Sequence, residues 1–306
     1  MSFMRSLEHL DRLARIIRER AGREAGGATR PAARGRELSG LEPAPGAPPA
    51  WREWVGAALD LLFPPFCPVC RQLLGHGRQD PLCGHCWSGL ERIVPPLCRR
   101  CGTQFFRFPE APEELSMAGG GCQPAPAPEH LCGRCRHHPP VFSYARSAAR
   151  YGDVVREALH AFKFGGRRAL AAPLGALLGE TRHLLPTERV DLLVPVPLHP
   201  RREQARGFNQ ALLLARRLEA TWGPPVGASV LRRTADTASQ TDLSANRRRA
   251  NVRGAFALGR PEQVTGRHVL LVDDIMTTGA TVSECAACLW LGGATTVGVV
   301  TVARVL

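Results

Sequence analysis

The stretch that decides the fold reads Val269-Leu270-Leu271-Val272-Asp273-Asp274-Ile275-Met276-Thr277-Thr278-Gly279-Ala280-Thr281. Val269 to Val272 are all apolar, the pattern of a short strand buried on both faces. Two carboxylates follow at once. Three threonines, a glycine and an alanine come after them, and an apolar, helix-compatible run extends from Val282 to Leu291. A strand, a tight loop and a helix start mark the place where a parallel sheet holds a ligand. Hydroxyls and main-chain N–H groups at a helix N-terminus suit a phosphate. Two adjacent acids beside them suit sugar hydroxyls or Mg²⁺.

Working outward, strand-like and helix-like runs alternate from 141 to 306, as a parallel α/β sheet requires. Val141–Tyr151 is extended in character, Val154–Phe164 helical with Val155, Leu159 and Phe162 on one face, and Ala169–Leu185 a second helix. Asp191–Val196 is another buried strand, Gln210–Thr221 another helix, and Thr295–Arg304 a closing strand. The basic segment Pro197–Gln210, with Arg201, Arg202 and Arg206, leaves the Asp191–Val196 strand on the same sheet edge as the Asp273–Thr281 loop. Thr234–Arg253 is too polar for a core and too long for a simple turn, and it carries Arg247, Arg248 and Arg249. It reads as a flap able to close over a polyanion, with a phosphate-contacting nucleic-acid patch as the competing reading.

Of the 40 basic residues, 39 are arginine and one is lysine, Lys163. A compact, strongly hydrated ammonium is poorly replaced by a planar fork. Lys163 is therefore a candidate site residue, standing just before the glycine turn Phe164-Gly165-Gly166.

Nine of the eleven cysteines fall between 67 and 135, and eight form four C-x-x-C pairs: Cys67/Cys70, Cys83/Cys86, Cys98/Cys101 and Cys132/Cys135. A C-x-x-C turn brings two thiolates onto one side of a knuckle, and two knuckles complete a tetrahedral S₄ site that suits Zn²⁺. Joining the first pair to the second and the third to the fourth closes the shortest loops; the spacing alone leaves other pairings open. A disulfide framework is disfavoured in a chain without an export signal. Four thiolates leave no open coordination position, so both zinc sites read as structural. The chain thus divides into an N-terminal arm at 1–50, a double zinc ribbon at 51–140 and an α/β domain at 141–306. In the arm, Leu7, Leu10, Leu13, Ile16 and Ile17 recur at helical spacing, and 22–50 reads as a disordered linker rich in Ala, Gly, Pro and Arg.

A net charge of +13 and a pI near 10 favour anionic partners without choosing among them. No apolar stretch reaches the roughly eighteen residues of a membrane span. The N-terminus lacks an apolar signal core, so a cytoplasmic location is expected.

The acidic pair followed by Thr-Thr-Gly-Ala-Thr resembles the phosphoribosyl pyrophosphate (PRPP) signature of type I phosphoribosyltransferases. Further matches are LLFPPFCPVC at 61–70, the later knuckles, FKFGG at 162–166, VPVPLHPRR at 194–202 and RGFNQ at 206–210, then Gln240, Leu243, Arg248, Asn251 and Phe256. Together they make residues 57–306 similar to the ComF family of competence-associated, phosphoribosyltransferase-like proteins. The resemblance implies a type I phosphoribosyltransferase fold, a mostly parallel sheet flanked by helices, preceded by a small double zinc ribbon. It implies PRPP or a related phosphoribosyl compound as ligand, with Mg²⁺, and a role in DNA uptake during natural competence. Asp273 and Asp274 would be the catalytic pair at the ribose hydroxyls. Thr277, Thr278, Gly279, Ala280 and Thr281 would hold the 5′-phosphate. Arg201, Arg202 and Arg206 would lie near pyrophosphate, with Lys163 and Arg248 as further ligand-binding cations. The alternative is a non-catalytic adaptor for single-stranded DNA or for DNA-uptake proteins that reuses the phosphate pocket.

Overall fold

A computed structural model describes residues 65–74, 81–105, 130–187, 189–235 and 252–306. The arm at 1–50, the helix-like run before Phe66 and most of the predicted flap, Arg248 included, lie outside the described residues. Trp51–Leu306 is one compact unit.

Two short helices, α1 (Gly84–Ser88) and α2 (Gly133–His137), belong to cysteine knuckles. The remainder runs β1 (Tyr144–Arg150), α3 (Asp153–Phe164), α4 (Ala171–Gly179), β2 (Leu192–Pro195), α5 (Pro200–Arg206), α6 (Gln210–Trp222), β3 (Leu231–Arg233), β4 (Phe256–Leu258), β5 (His268–Met276), α7 (Ala280–Leu291) and β6 (Thr296–Arg304). Short 3₁₀ turns flank α4 at Arg168–Leu170 and Glu180–Leu184. Four strands form one sheet in the order β1-β6-β5-β2, every pairing parallel. β3 and β4 make a separate antiparallel pair. This is the expected α/β domain with a parallel sheet.

The apolar runs explain the layers. Leu270 and Val272 of β5 pack with Leu159 and Phe162 of α3, Leu174 and Leu177 of α4, and Leu214 and Leu218 of α6. Val269 and Leu271 pack with Val282, Cys285 and Leu289 of α7 and with Phe256 of β4. β5 is thus apolar on both faces and sits centrally. Truncating one of these fully buried leucines to alanine would cost about 2–5 kcal/mol.

β1 is an edge strand, and a bare edge invites foreign pairing. The chain between the two ribbons covers it: Ile93 N–H donates to Ala148 O at 2.9 Å, and Arg150 N–H donates to Glu91 O at 2.8 Å. Further along, Ala145 N–H donates to Arg100 O at 2.7 Å. Gly102, at φ +69°, is required here, because a Cβ would lie 2.3 Å from Ala145 O. Cys67, Leu74, Leu82, Cys83, Cys86 and Leu90 join the core on the α3 face, so the first ribbon is built into the same interior. Among the described residues no helix is long and apolar enough to cross a membrane.

Candidate functional site

β5 is longer than its apolar stretch suggests. It continues through both acids to Met276, because β6 goes on pairing with it at Asp273↔Thr301, Ile275↔Ala303 and Met276↔Arg304. The acids therefore belong to the carboxyl end of a central strand, not to a loop beyond it. Backbone pairing fixes them more firmly than a loop would.

Asp274 is 7% exposed, and its Oδ2 lies 2.7 Å from Lys163 Nζ. The one lysine of the chain thus reaches from the last turn of α3 to the second acid. Asp273 Oδ1 accepts the Asp274 N–H at 2.9 Å. Burial, then the negative charge of Asp274, raises Asp273 to about 7, with Lys163 opposing. Two carboxylates sharing one ammonium leave surplus negative charge, a donor set that fits a divalent cation.

The segment after β2, expected as a basic loop, contains a helix. His199 caps α5 by accepting the Arg201 N–H at 3.4 Å, Pro200 opens it, and Gly207 at φ 75° ends it. Proline at the first helical position and glycine just past the last are helix punctuation that the charge density of the segment obscured. α5 carries Arg201, Arg202 and Arg206. Arg206 Nη1 donates to Gln210 Oε1 at 3.2 Å, and its guanidinium sits 5.1 Å from the Phe164 ring centre. Burial lowers its pKa, while the fields of Asp274 and Asp273 work to raise it and that of Arg202 to lower it. Lys163 thus contacts the second acid at the sheet's carboxyl edge, and Arg206 lies within the electrostatic reach of both acids.

The Thr277–Thr281 loop leads into the twelve-residue α7. Gly279 takes φ 75° as its cap, a left-handed conformation that strains a residue with a side chain. Thr278 Oγ1 accepts the Ala280 N–H at 3.3 Å. A contact that sequence reading missed secures the loop from outside: Arg134 Nη2 donates to Thr278 O at 2.6 Å. Arg134 belongs to α2, between Cys132 and Cys135. Arg304, at the end of β6, donates from Nη1 to Cys101 O.

The cysteines gather as two tetrads, Cys67/Cys70/Cys83/Cys86 and Cys98/Cys101/Cys132/Cys135, with sulfur atoms within 4.8 Å of one another in each. The shortest-loop pairing holds. Sulfur–sulfur separations of 3.8 Å (Cys67–Cys86), 3.5 Å (Cys70–Cys83) and 3.6 Å (Cys101–Cys132) lie at or just below the roughly 3.8 Å edge of a tetrahedron with 2.3 Å Zn–S bonds. All eight thiols are free of disulfides. Burial works to raise the Cys101 thiol, but the Arg304 charge, the Thr103 hydroxyl and the Thr103 amide outweigh it and hold the group at about 6, close to a thiolate. Donor set and geometry both fit zinc.

A zinc-ribbon module fused to a parallel α/β domain is the class these features define. Residues 58–135 match the model of the double zinc ribbon domain. The DNA utilization protein YhgH of Escherichia coli O157:H7 is 35% identical over 250 residues, covering 80% of this chain and 100% of that protein. Competence protein F of Haemophilus influenzae is 29% identical, covering 68% of this chain and 90% of that protein. Competence protein ComFC of Bacillus subtilis is 27% identical, covering 69% and 78%. The chain belongs to this family, the ComF family. Among solved structures, the B. subtilis glutamine PRPP amidotransferase matches at 18% identity and TM-score 0.32, covering 46% of this chain and 30% of that one. The Pyrococcus horikoshii purine phosphoribosyltransferase matches at 15% identity and TM-score 0.25, covering 44% and 80%.

Proposed function

We propose that this protein binds PRPP together with Mg²⁺ at the carboxyl edge of its sheet and serves the handling of DNA taken up by the cell. One observation carries the ligand: the acid pair ends a central parallel strand, a Thr-Thr-Gly-Ala-Thr helix start follows at once, and Lys163 holds the second acid while Arg206 lies within the electrostatic reach of both. Main-chain N–H groups and hydroxyls of Thr277–Thr281 would hold the 5′-phosphate. Asp273 and Asp274 would take the ribose hydroxyls. Arg201, Arg202, Arg206 and Lys163 would face pyrophosphate, joined by Arg248 of the predicted flap. Mg²⁺ would be held by one of the two acids and by ligand oxygens, where it neutralises charge on the pyrophosphate. The DNA link is supported by the names of the relatives, a DNA utilization protein and two competence proteins. Two structural zinc ions would complete the ribbons.

Calorimetric titration of PRPP with Mg²⁺ tests the reading. Binding to the wild type and a loss of at least tenfold in the Asp273→Asn, Asp274→Asn double variant are expected; equal affinities refute it.

A second reading, direct binding of single-stranded DNA, is favoured by a separate observation. Phe164 is 65% exposed with Arg206 over its ring, and Phe66 is 48% exposed with its carbonyl held by Arg167. An exposed ring under a guanidinium, with a second exposed ring on the same chain, suits base stacking along a phosphate track. Fluorescence polarisation with a labelled oligonucleotide across a salt series should show affinity falling steeply with salt; no binding at low salt removes this reading.

A further inference from the structure

Lys163 stands in the last turn of α3, and its two neighbours fix that turn. Phe162 is fully buried, belongs to the same core as Leu270 and Val272 of β5, and lies 5.5 Å from the Phe208 ring centre. Phe164 is exposed and has Arg206 of α5 over its ring. The lysine stem is therefore rooted between the strand that ends in the acids and the helix that carries the basic side chains.

From that root the ammonium reaches Asp274. The Nζ–Oδ2 contact is 2.7 Å, between side chains 20% and 10% exposed. Asp273 Oδ1 meanwhile accepts the Asp274 N–H at 2.9 Å. Carboxylate oxygens are what a hard divalent cation binds, so the ammonium already sits where such an ion would be held. An ion approaching the acids alone must break a close, mostly buried pair or settle beside a like charge.

The pair is nevertheless built to be broken. A lysine side chain is a point charge with three donors on a flexible four-carbon stem, so it can change partner while α3 stays in place. An arginine prefers a planar, two-point grip on one carboxylate and exchanges less readily. A new partner is close by, because a polyanion drawn to Arg206 arrives beside the turn that holds Lys163. This accounts for one lysine among 39 arginines.

We infer that Lys163 is a resident counter-ion, which holds Asp274 in the place of a divalent cation and passes to the phosphates of the ligand when Mg²⁺ and PRPP arrive together. The inference rests on the PRPP reading of the neighbouring loop. Before the exchange the ammonium offsets the acids. After it the carboxylate oxygen turns to Mg²⁺, and the ammonium, with Arg206 nearby, faces pyrophosphate oxygens. Mg²⁺ alone brings no phosphate for the ammonium to turn to, so Lys163 makes metal binding depend on the ligand.

The single lysine makes the test direct. Full-length, zinc-loaded protein grown with lysine isotopically labelled at Cε gives one side-chain signal in nuclear magnetic resonance. Mg²⁺ alone should leave that signal in place, and Mg²⁺ with PRPP should shift it. Mn²⁺, followed by electron paramagnetic resonance without PRPP, should bind Lys163→Met about tenfold more tightly than the wild type. Adding Asp274→Asn to Lys163→Met should remove the gain. A signal that moves with Mg²⁺ alone, a signal unmoved while calorimetry shows PRPP bound, or equal Mn²⁺ affinity in the wild type and Lys163→Met overturns the counter-ion role. The lysine signal belongs to the wild type and decides the matter if Lys163→Met does not fold. Failure of the wild type to bind PRPP refutes the underlying reading instead, and the Mn²⁺ comparison then still decides whether Lys163 keeps the acids from a metal ion.

Discussion

Replacing Lys163 by methionine removes the one ammonium that the acid pair possesses. The contact is 2.7 Å, and the two side chains are 20% and 10% exposed. At an effective dielectric constant near 20 the gross attraction is about 6 kcal/mol, and desolvation offsets part of it. Removing one member strands the other, which for a buried pair costs about 3 kcal/mol. The loss should depend on pH. Asp273 sits at about 7 in the folded protein, above its ordinary value of 3.8, so between those values the native state holds a proton that the unfolded chain has lost. Its contribution to stability therefore falls as pH rises through that window. At pH 5 Asp273 holds its proton; at pH 8 it has lost it and adds its negative charge to the site. Lys163→Met should thus cost about 3 kcal/mol at pH 8, some 6–10 °C in Tm, and clearly less at pH 5. Lys163→Arg should fall between, because the planar fork does not fit a single short contact in so enclosed a place. Urea denaturation followed by tryptophan fluorescence at both pH values is the assay. Full stability of Lys163→Met at pH 8, or the same loss at both pH values, would refute the reasoning.

Other expectations follow from the same geometry. A divalent cation brought to the acid pair should drive the proton off Asp273, so Mg²⁺–PRPP binding at pH 6.5 should release more protons from the wild type than from Asp273→Asn, read by calorimetry in buffers of different ionisation enthalpy; equal release contradicts the assignment. The two zinc sites should be inequivalent: Cys70→Ser and Cys132→Ser should each lower the zinc content from two ions per chain to one by mass spectrometry, with only Cys132→Ser weakening PRPP, since Arg134 reaches Thr278 from between Cys132 and Cys135. Arg134→Ala should weaken PRPP about fivefold, the worth of one exposed charge-assisted hydrogen bond near 1 kcal/mol, and leave zinc content unchanged. Gly298→Ala places a Cβ 2.3 Å from Cζ of the buried Tyr144, whose hydroxyl is held 2.9 Å from His268 Nε2, and should destabilise the protein by about 2–3 kcal/mol in the same urea assay.

What the sequence could disclose here, and what it could not, divides by the range of the interaction. The strand–loop–helix at 269–291, the helix at 153–164 and the cysteine tetrads depend on neighbours a few residues away or on closing short loops, and their signals are local. The β3–β4 pair flanks the predicted flap but spans only three residues a side, too short for alternation to register. The helix α5 was hidden by its charge, although Pro200 and Gly207 bracket it as caps should. Lys163 was singled out only by contrast with 39 arginines; its partner could not be read, because Asp274 is distant in the chain and acquires the ammonium through the packing of α3 on β5. The links between ribbon and phosphate loop are more remote still. Arg134 reaches Thr278 across 144 residues, and Arg304 reaches Cys101 across 203. No periodicity marks such pairs, and in a chain so rich in arginine neither residue stands out by type. These two arginines decide whether the ribbon is an appendage or part of the site. A ribbon serving only to cover the β1 edge would need the main-chain bonds at Glu91, Ile93 and Arg100 and nothing more. The additional side-chain contacts to Thr278 and from Arg304 tie the second ribbon to the ends of both β5 and β6, so disturbance of that ribbon reaches the proposed ligand-holding edge of the sheet directly.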